Sequence, residues 1–133
     1  MTYVPFVSAA IFAALGILHL VYTVHDAIRT PKYFAPDNKT LLPAMRATRM
    51  ALAPGGHDYW DAIIGFHFSH SIGVLLLATM IAVEAAHPTG WLRPVLCGTG
   101  ALYTLIAWRY WFDVPLIGVA IATIAMTLAW IVW

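Results

Sequence analysis

The chain has 133 residues, of which 62% are hydrophobic and 10% charged, and its formal net charge is +1. Soluble domains average about 45–50% apolar and about 25% charged residues, so this composition excludes an ordinary soluble domain and indicates a surface in contact with lipid. Because the chain has neither a basic tract nor an acidic tail, we do not expect it to bind nucleic acid.

Four stretches approach the roughly 20 mostly apolar residues that a membrane-spanning helix needs. These predicted spans cover about residues 4–24, 61–83, 91–108 and 114–133, and the whole chain, 1–133, is predicted to be one integral membrane domain. No stretch alternates with the period of two that a membrane β-barrel requires. We therefore predict an all-α fold, a four-transmembrane-helix bundle with a long loop between helices 1 and 2.

Polar residues mark the predicted starts of three spans: Thr2 before span 1, Asp58 and Asp61 around the start of span 2, and Asp113 before span 4. A side-chain oxygen accepts hydrogen bonds from the free N–H groups of a first helical turn, so we interpret these residues as helix caps. No basic segment precedes span 1, which is therefore expected to be a retained span and not a signal peptide.

The loop between spans 1 and 2 has about 35 residues, which is long for a compact bundle. Residues 41–53 within it are predicted to form a short interfacial helix that ends at Pro54, Gly55 and Gly56. Arg46 and Arg49 fall on one face of this segment. The apolar residues on the same face make its amphipathic pattern weak.

The basic residues predict the orientation of the chain in the membrane. On the side of the long loop they are Arg29, Lys32, Lys39, Arg46, Arg49 and Arg109, whereas the opposite side carries only Arg93. Basic loops remain in the cytoplasm. We therefore expect a multi-pass protein of the cell membrane, with both termini on the non-cytoplasmic side.

Three histidines lie within the predicted spans, where polar groups are costly and need partners. His19 lies five residues before the end of span 1, and His67 lies six residues after the start of span 2. At about 1.5 Å per residue, both lie about 8–9 Å below the same interface, and His70 lies about one turn deeper. Since consecutive spans are antiparallel, we predict that these imidazoles face a shared polar pocket near the cytoplasmic leaflet.

Four further residues complete the predicted ligand-binding set. Trp60 and Ser71 share the helical face of His67, while Arg46 and Arg109 come from loops on the same side. A different face of span 2 carries Gly65, Ser69 and Gly73. Their spacing of four residues lets two membrane helices approach closely, so we expect this face to pack against another helix.

The chemistry of the pocket residues leaves three interpretations open. Imidazole and guanidinium groups hydrogen-bond carbonyl and phosphate oxygens, which suits a quinone, a lipid or another hydrophobic ligand, or an accessory subunit of a membrane complex. Neutral imidazole also ligates haem iron and transition metals, which would make His19, His67 and His70 metal ligands of a membrane oxidoreductase. Thirdly, the histidines could hydrogen-bond across helices and only stabilise the bundle or a homo-oligomer.

Three segments of the chain resemble a family of small bacterial four-helix membrane proteins. The main one is GFHFSHSIG at residues 65–73, and the others are residues 16–19 of span 1 and 43–46 of the loop. These segments fall within residues 16–73, a stretch of about half of the chain. The resemblance implies a fold and a membrane location but no reaction. It also implies a hydrogen-bonding role for His67, because relatives often carry asparagine at that position.

Overall fold

A computed structural model of the chain describes residues 3–51 and 55–132. Within these ranges the protein is all-helical, as predicted, and its five helices are α1 (Val4–Ile28), α2 (Leu41–Ala47), α3 (Tyr59–Ala86), α4 (Arg93–Tyr110) and α5 (Asp113–Val132). Three of them, α1, α3 and α5, are long and apolar enough to cross a membrane. This arrangement is compatible with a multi-pass membrane protein.

The predicted count of four spans is not confirmed, because α4 is not among the helices that are both long and apolar enough to cross a membrane. It has 18 residues, with Arg93 and Arg109 in its first and last turns. The other three predicted spans correspond to α1, α3 and α5. Helix α1 ends four residues later than predicted, and helix α3 begins two residues earlier and ends three residues later than predicted.

The interfacial helix predicted over residues 41–53 is shorter than expected and is α2. It ends because Thr48 adopts an extended conformation, with φ of −107° and ψ of 140°, and its hydroxyl donates to the carbonyl of Ala44. Residues 48–51 were also predicted to be helical, and this part of the prediction is wrong because they are not. Residues 52–54, and likewise Thr2 and Trp133, lie outside the described ranges.

The chain divides into two compact units, with boundaries inside α1 and α3. One, here the bundle unit, comprises residues 1–16 and 73–133, and the other, the histidine unit, comprises residues 17–72. The bundle unit contains the apolar core, whose innermost side chains include Phe12, Ile81 and Met126, all 0% exposed. In a membrane, where lipid tails are as apolar as these side chains, close packing and dispersion stabilise such a core more than release of water does.

Close contacts at small residues position the helices of the bundle unit. A Cβ atom at Gly73 would lie 3.1 Å from the hydroxyl of Tyr103, so the predicted packing at this position is confirmed. The predicted packing against another helix is not supported at Gly65 and Ser69. Ser69 is exposed, and a Cβ at Gly65 would meet no atom within 4 Å in the part of the chain that the structure describes.

The tightest of these contacts joins α4 to α5 at Gly100. A Cβ at this position would lie 2.7 Å from Oγ1 and 3.1 Å from Cγ2 of Thr123, which is buried. The hydroxyl of Thr104 donates to the Gly100 carbonyl over 2.9 Å. Gly100 therefore allows the two helices to approach, while their polar groups remain hydrogen-bonded.

Replacing Gly100 with alanine is expected to lower the free energy of unfolding by about 1–3 kcal/mol, because the β-branched Thr123 cannot easily rotate away. Gly98→Ala is the matched control in the same helix, since its new Cβ would meet none of the described atoms within 4 Å. In Gly98→Ala, the better helix propensity of alanine should leave the free energy of unfolding unchanged or raise it by up to about 1 kcal/mol. Unfolding both variants in detergent would measure the difference, and equal effects would contradict close packing at Gly100.

Candidate functional site

The centre of the histidine unit is a direct hydrogen bond between two imidazoles from different helices. Nε2 of His19, in α1, lies 3.0 Å from Nδ1 of His67, in α3. The tautomers decide which ring donates. Both side chains are half-buried. The prediction that these residues converge is therefore confirmed, while a bound ligand stays a prediction.

The same local hydrogen bond is found beside both histidines. Four residues after each, a buried hydroxyl donates back to the histidine's own carbonyl: Thr23 to His19 and Ser71 to His67, both over 2.8 Å. Such bonds satisfy a hydroxyl within an apolar helix and tend to bend it slightly. The hydroxyl proton of Ser71 is thus directed at the backbone, and the predicted ligand-binding role of Ser71 stays a prediction.

Two more rings complete the cluster, which we call the imidazole cluster: His19, His67, His70 and Phe34. The ring of His70 lies edge-on to that of His19, with centroids 5.1 Å apart. Phe34 stacks on His67 with a centroid distance of 4.0 Å and an interplanar angle of 17°, and it lies 4.9 Å from His19. The cluster is therefore a compact set of flat rings with nitrogen atoms at their edges.

Asp26 positions Phe34 by holding the loop that follows α1. Its carboxylate is 1% exposed and accepts hydrogen bonds from three consecutive backbone amides, those of Lys32, Tyr33 and Phe34, at 2.7–2.9 Å. The ring of His25 lies 3.0 Å from the same carboxylate. A carboxylate near a helix C-terminus is disfavoured by the helix dipole, and these donors offset that cost.

Tyr33 extends this anchoring on the outer side of the loop. Its ring stacks on Tyr22 with centroids 4.1 Å apart and an interplanar angle of 13°. It also meets the edge of His25 at 5.0 Å. Tyr33 thus contacts two residues of α1, and the next residue, Phe34, contacts the imidazole cluster. We call residues 32–34 the strap.

The other predicted site residues are Trp60, Arg46 and Arg109, and their ligand-binding role stays a prediction. Trp60 is buried, at 2% exposed, in the first turn of α3. Arg46 is exposed and lines a separate depression in the histidine unit. Arg109 belongs to the bundle unit, where its guanidinium lies 5.0 Å from the centroid of the Tyr110 ring. Its predicted place beside the histidines stays a prediction.

The histidine pair favours hydrogen bonding over metal ligation. Two nitrogens on one metal, each about 2 Å from it, lie about 3.3 Å apart in a tetrahedral site and about 4 Å apart across an iron. The two nitrogens here are closer and share a proton. Within residues 3–51 and 55–132, no three His, Cys, Asp or Glu side chains form a group that could hold a metal ion. The haem or metal interpretation of His19, His67 and His70 therefore requires their hydrogen bond to open.

Sequence reasoning missed two residues that build this site, Phe34 and Tyr33, and gave Asp26 no role beyond being polar. One signal was available, because a carboxylate in the last turn of an apolar helix needs donors from the loop that follows. The position of Phe34 had no such signal. No protein-family model, curated protein or solved structure matches the chain. The function is therefore argued from the site.

Proposed function

We propose that this chain is a multi-pass protein of the bacterial inner membrane whose imidazole cluster binds a small hydrophobic molecule with a carbonyl or hydroxyl group, such as a quinone or a lipid. The observation that carries the proposal is the convergence of three imidazoles under an anchored aromatic strap. Purely structural histidines would need only one hydrogen bond each across the helices. The strap adds an aromatic wall, the ring of Phe34, against which a ligand held by the imidazoles can pack.

The hydrogen-bonding capacity of the pair suits such a ligand. Two neutral imidazoles have two donors and two acceptors, and their mutual bond uses one of each. One donor and one acceptor are left to hold a carbonyl or hydroxyl oxygen. Flat rings such as Phe34 and His67 provide faces and edges on which an aromatic or quinoid ring can stack. Ligand pockets combine apolar walls with a few convergent polar groups in this way.

The proposed topology has four spans, with α4 as the fourth. Arg93 and Arg109 lie at opposite ends of that helix, where long side chains can reach the headgroup region while the apolar middle stays in hydrocarbon. The excess of basic residues around the long loop favours a cytoplasmic loop and termini outside. A reporter enzyme that works only outside the cytoplasm should then be active when it is fused after Trp133. Activity of a reporter that works only in the cytoplasm would show that the orientation is the reverse.

The binding proposal is tested by asking what copurifies with the protein. Organic extracts of the wild type in a mild detergent should contain one hydrophobic molecule in near-stoichiometric amount by mass spectrometry. His67→Leu and His19→Leu should reduce its occupancy about tenfold, which corresponds to about 1.4 kcal/mol of binding free energy. His87→Leu is the control, because His87 is exposed in the bundle unit.

The other outcomes discriminate between the interpretations. A Soret band or a metal in elemental analysis, lost in both histidine variants, would favour the oxidoreductase alternative. A protein that copurifies in fixed ratio, and needs His19 and His67, would favour an accessory subunit. If nothing copurifies and each variant costs only about 1 kcal/mol of stability, the histidines serve packing alone and the proposal fails.

A further inference from the structure

A second polar feature of the histidine unit lies outside the imidazole cluster. It is a depression of about 380 Å³ between the end of α2 and the start of α3. Its lining consists of Arg46, Arg49, Gly55, Gly56, His57, Asp58 and Asp61. We call it the headgroup depression. Among residues 3–51 and 55–132, every side chain in this lining apart from the two glycines is charged or ionisable, so the depression suits a polar and ionic ligand.

Hydrogen bonds hold the walls of the headgroup depression in place. The guanidinium of Arg49 donates to the carbonyl of Gly56, and the backbone of Arg49 pairs with that of Asp58. Asp58 accepts from the amide of Asp61 over 2.9 Å, which confirms its predicted capping role. His57 lies 3.4 Å from the other acidic wall residue, Asp61. These contacts use only part of the capacity of the charged groups, since an arginine has five N–H donors and a carboxylate about four acceptor sites.

The charged residues of the depression come from two segments of the chain. Arg46 and Arg49 lie at the end of α2 and just after it, whereas Asp58 and Asp61 lie at the cap and in the first turn of α3. A simple anion would meet the two carboxylates, and a simple cation would meet the two guanidinium groups. A zwitterion with a phosphate at one end and a primary ammonium at the other satisfies both walls.

The position of the depression agrees with a membrane headgroup. Its acidic wall flanks Tyr59, the first residue of α3, which is one of the three helices able to cross a membrane. The start of such a helix lies at the interface, where tyrosine is enriched and where phosphates are found. The two arginines, which are both exposed, can reach a phosphate from this level.

We propose that the headgroup depression binds a phosphoethanolamine group, with the phosphate on Arg46 and Arg49 and the ammonium on Asp58 and Asp61. The inference does not depend on a ligand at the imidazole cluster. A primary ammonium donates three hydrogen bonds to carboxylates, whereas the trimethylammonium of a choline headgroup donates none. An anionic glycerol headgroup would leave the acidic wall without a cation.

The test titrates delipidated protein in detergent with phosphatidylethanolamine, phosphatidylcholine and phosphatidylglycerol of identical acyl chains and counts bound lipid by native mass spectrometry. We expect the ethanolamine lipid to bind about five- to tenfold more tightly than the other two, which is the net contribution of about one hydrogen bond exposed to water. Arg46→Gln should weaken binding of both the ethanolamine and the choline lipid. Asp61→Asn should weaken only the ethanolamine lipid and thereby remove the preference.

Lys39→Gln and Asp37→Asn are the controls, because both residues are exposed in the same connection and neither lines the depression. Unchanged melting temperatures would show that the variants are folded, and Arg46→Lys should retain part of the binding. Competition by soluble glycerophosphoethanolamine at equal concentration would identify a free metabolite as the source of the group. Equal affinities for the three lipids, or a preference that survives Asp61→Asn, would overturn the proposal.

Discussion

Replacing Asp26 with alanine is expected to lower the free energy of unfolding by about 2–4 kcal/mol. The variant removes the acceptor of three backbone amides and of His25, and a buried amide that loses its partner costs about 1–3 kcal/mol, less where water can reach it. Asp26→Asn should have a smaller effect, because its carbonyl oxygen still accepts. The melting temperature in detergent measures both variants.

The loss should also be visible locally, at the strap. Amide hydrogens of residues 32–34 should exchange at least tenfold faster in Asp26→Ala, which corresponds to about 1.4 kcal/mol of lost protection. Because Phe34 then no longer covers His67, occupancy of the proposed ligand should fall as well. Asp37→Ala is the matched control, an exposed carboxylate in the same connection. If Asp37→Ala destabilises the protein as much as Asp26→Ala, the carboxylate does not anchor the strap.

A still larger loss, about 3–5 kcal/mol, is expected for Glu84→Ala, which removes the buried carboxylate of a half-buried ion pair and leaves several hydrogen-bond donors without an acceptor. Glu84 is 1% exposed in the last turn of α3 and accepts from the amide and hydroxyl of Thr89, the amide of Gly90 and Nε of Arg93. Gly90 has a φ of 80°, a conformation that favours glycine. The carboxylate thus closes the turn that leads into α4.

A double-mutant cycle separates the contribution of the Glu84–Arg93 ion pair to stability from that of the hydrogen bonds in the turn. Arg93→Ala should cost less than Glu84→Ala, because Glu84 keeps the donors of Thr89 and Gly90. The double variant should be no less stable than Glu84→Ala alone. Asp113→Ala is the control, an exposed carboxylate whose effect is limited to about 0.3–1 kcal/mol through the dipole of α5. Additive losses in the cycle would contradict a shared network.

Asp26 and Glu84 show the same principle at the ends of two different helices. Each is a buried carboxylate in the last turns of an apolar helix, and each accepts the backbone amides of the loop that follows. Irregular backbone beside a membrane needs partners for its N–H groups because water is scarce there. A single carboxylate provides up to four such acceptor positions, so one side chain satisfies several backbone amides in each of these two loops.

The sequence alone predicted the helical class, the approximate bounds of α1, α3 and α5, and the approach of His19 to His67. Helix formation is local and its rise per residue is constant, so counting residues from an interface placed the two imidazoles at equal depth. The same regularity allowed Asp58 to be identified as a cap. These features depend on spacing within a helix or on the fixed thickness of the bilayer.

Only the tertiary structure decided which loop residues join these helices and which small residues pack. Phe34 reaches His67 because Asp26 captures amides six to eight residues further along, and no periodicity specifies such a contact. Likewise, the spacing of Gly65, Ser69 and Gly73 is the same at all three positions, yet only Gly73 is seen to meet another helix. Lipid and a neighbouring helix are both apolar, so hydrophobicity cannot distinguish a lipid-facing surface from a packed one. The distinction arises from the shape of the neighbouring side chains in the fold.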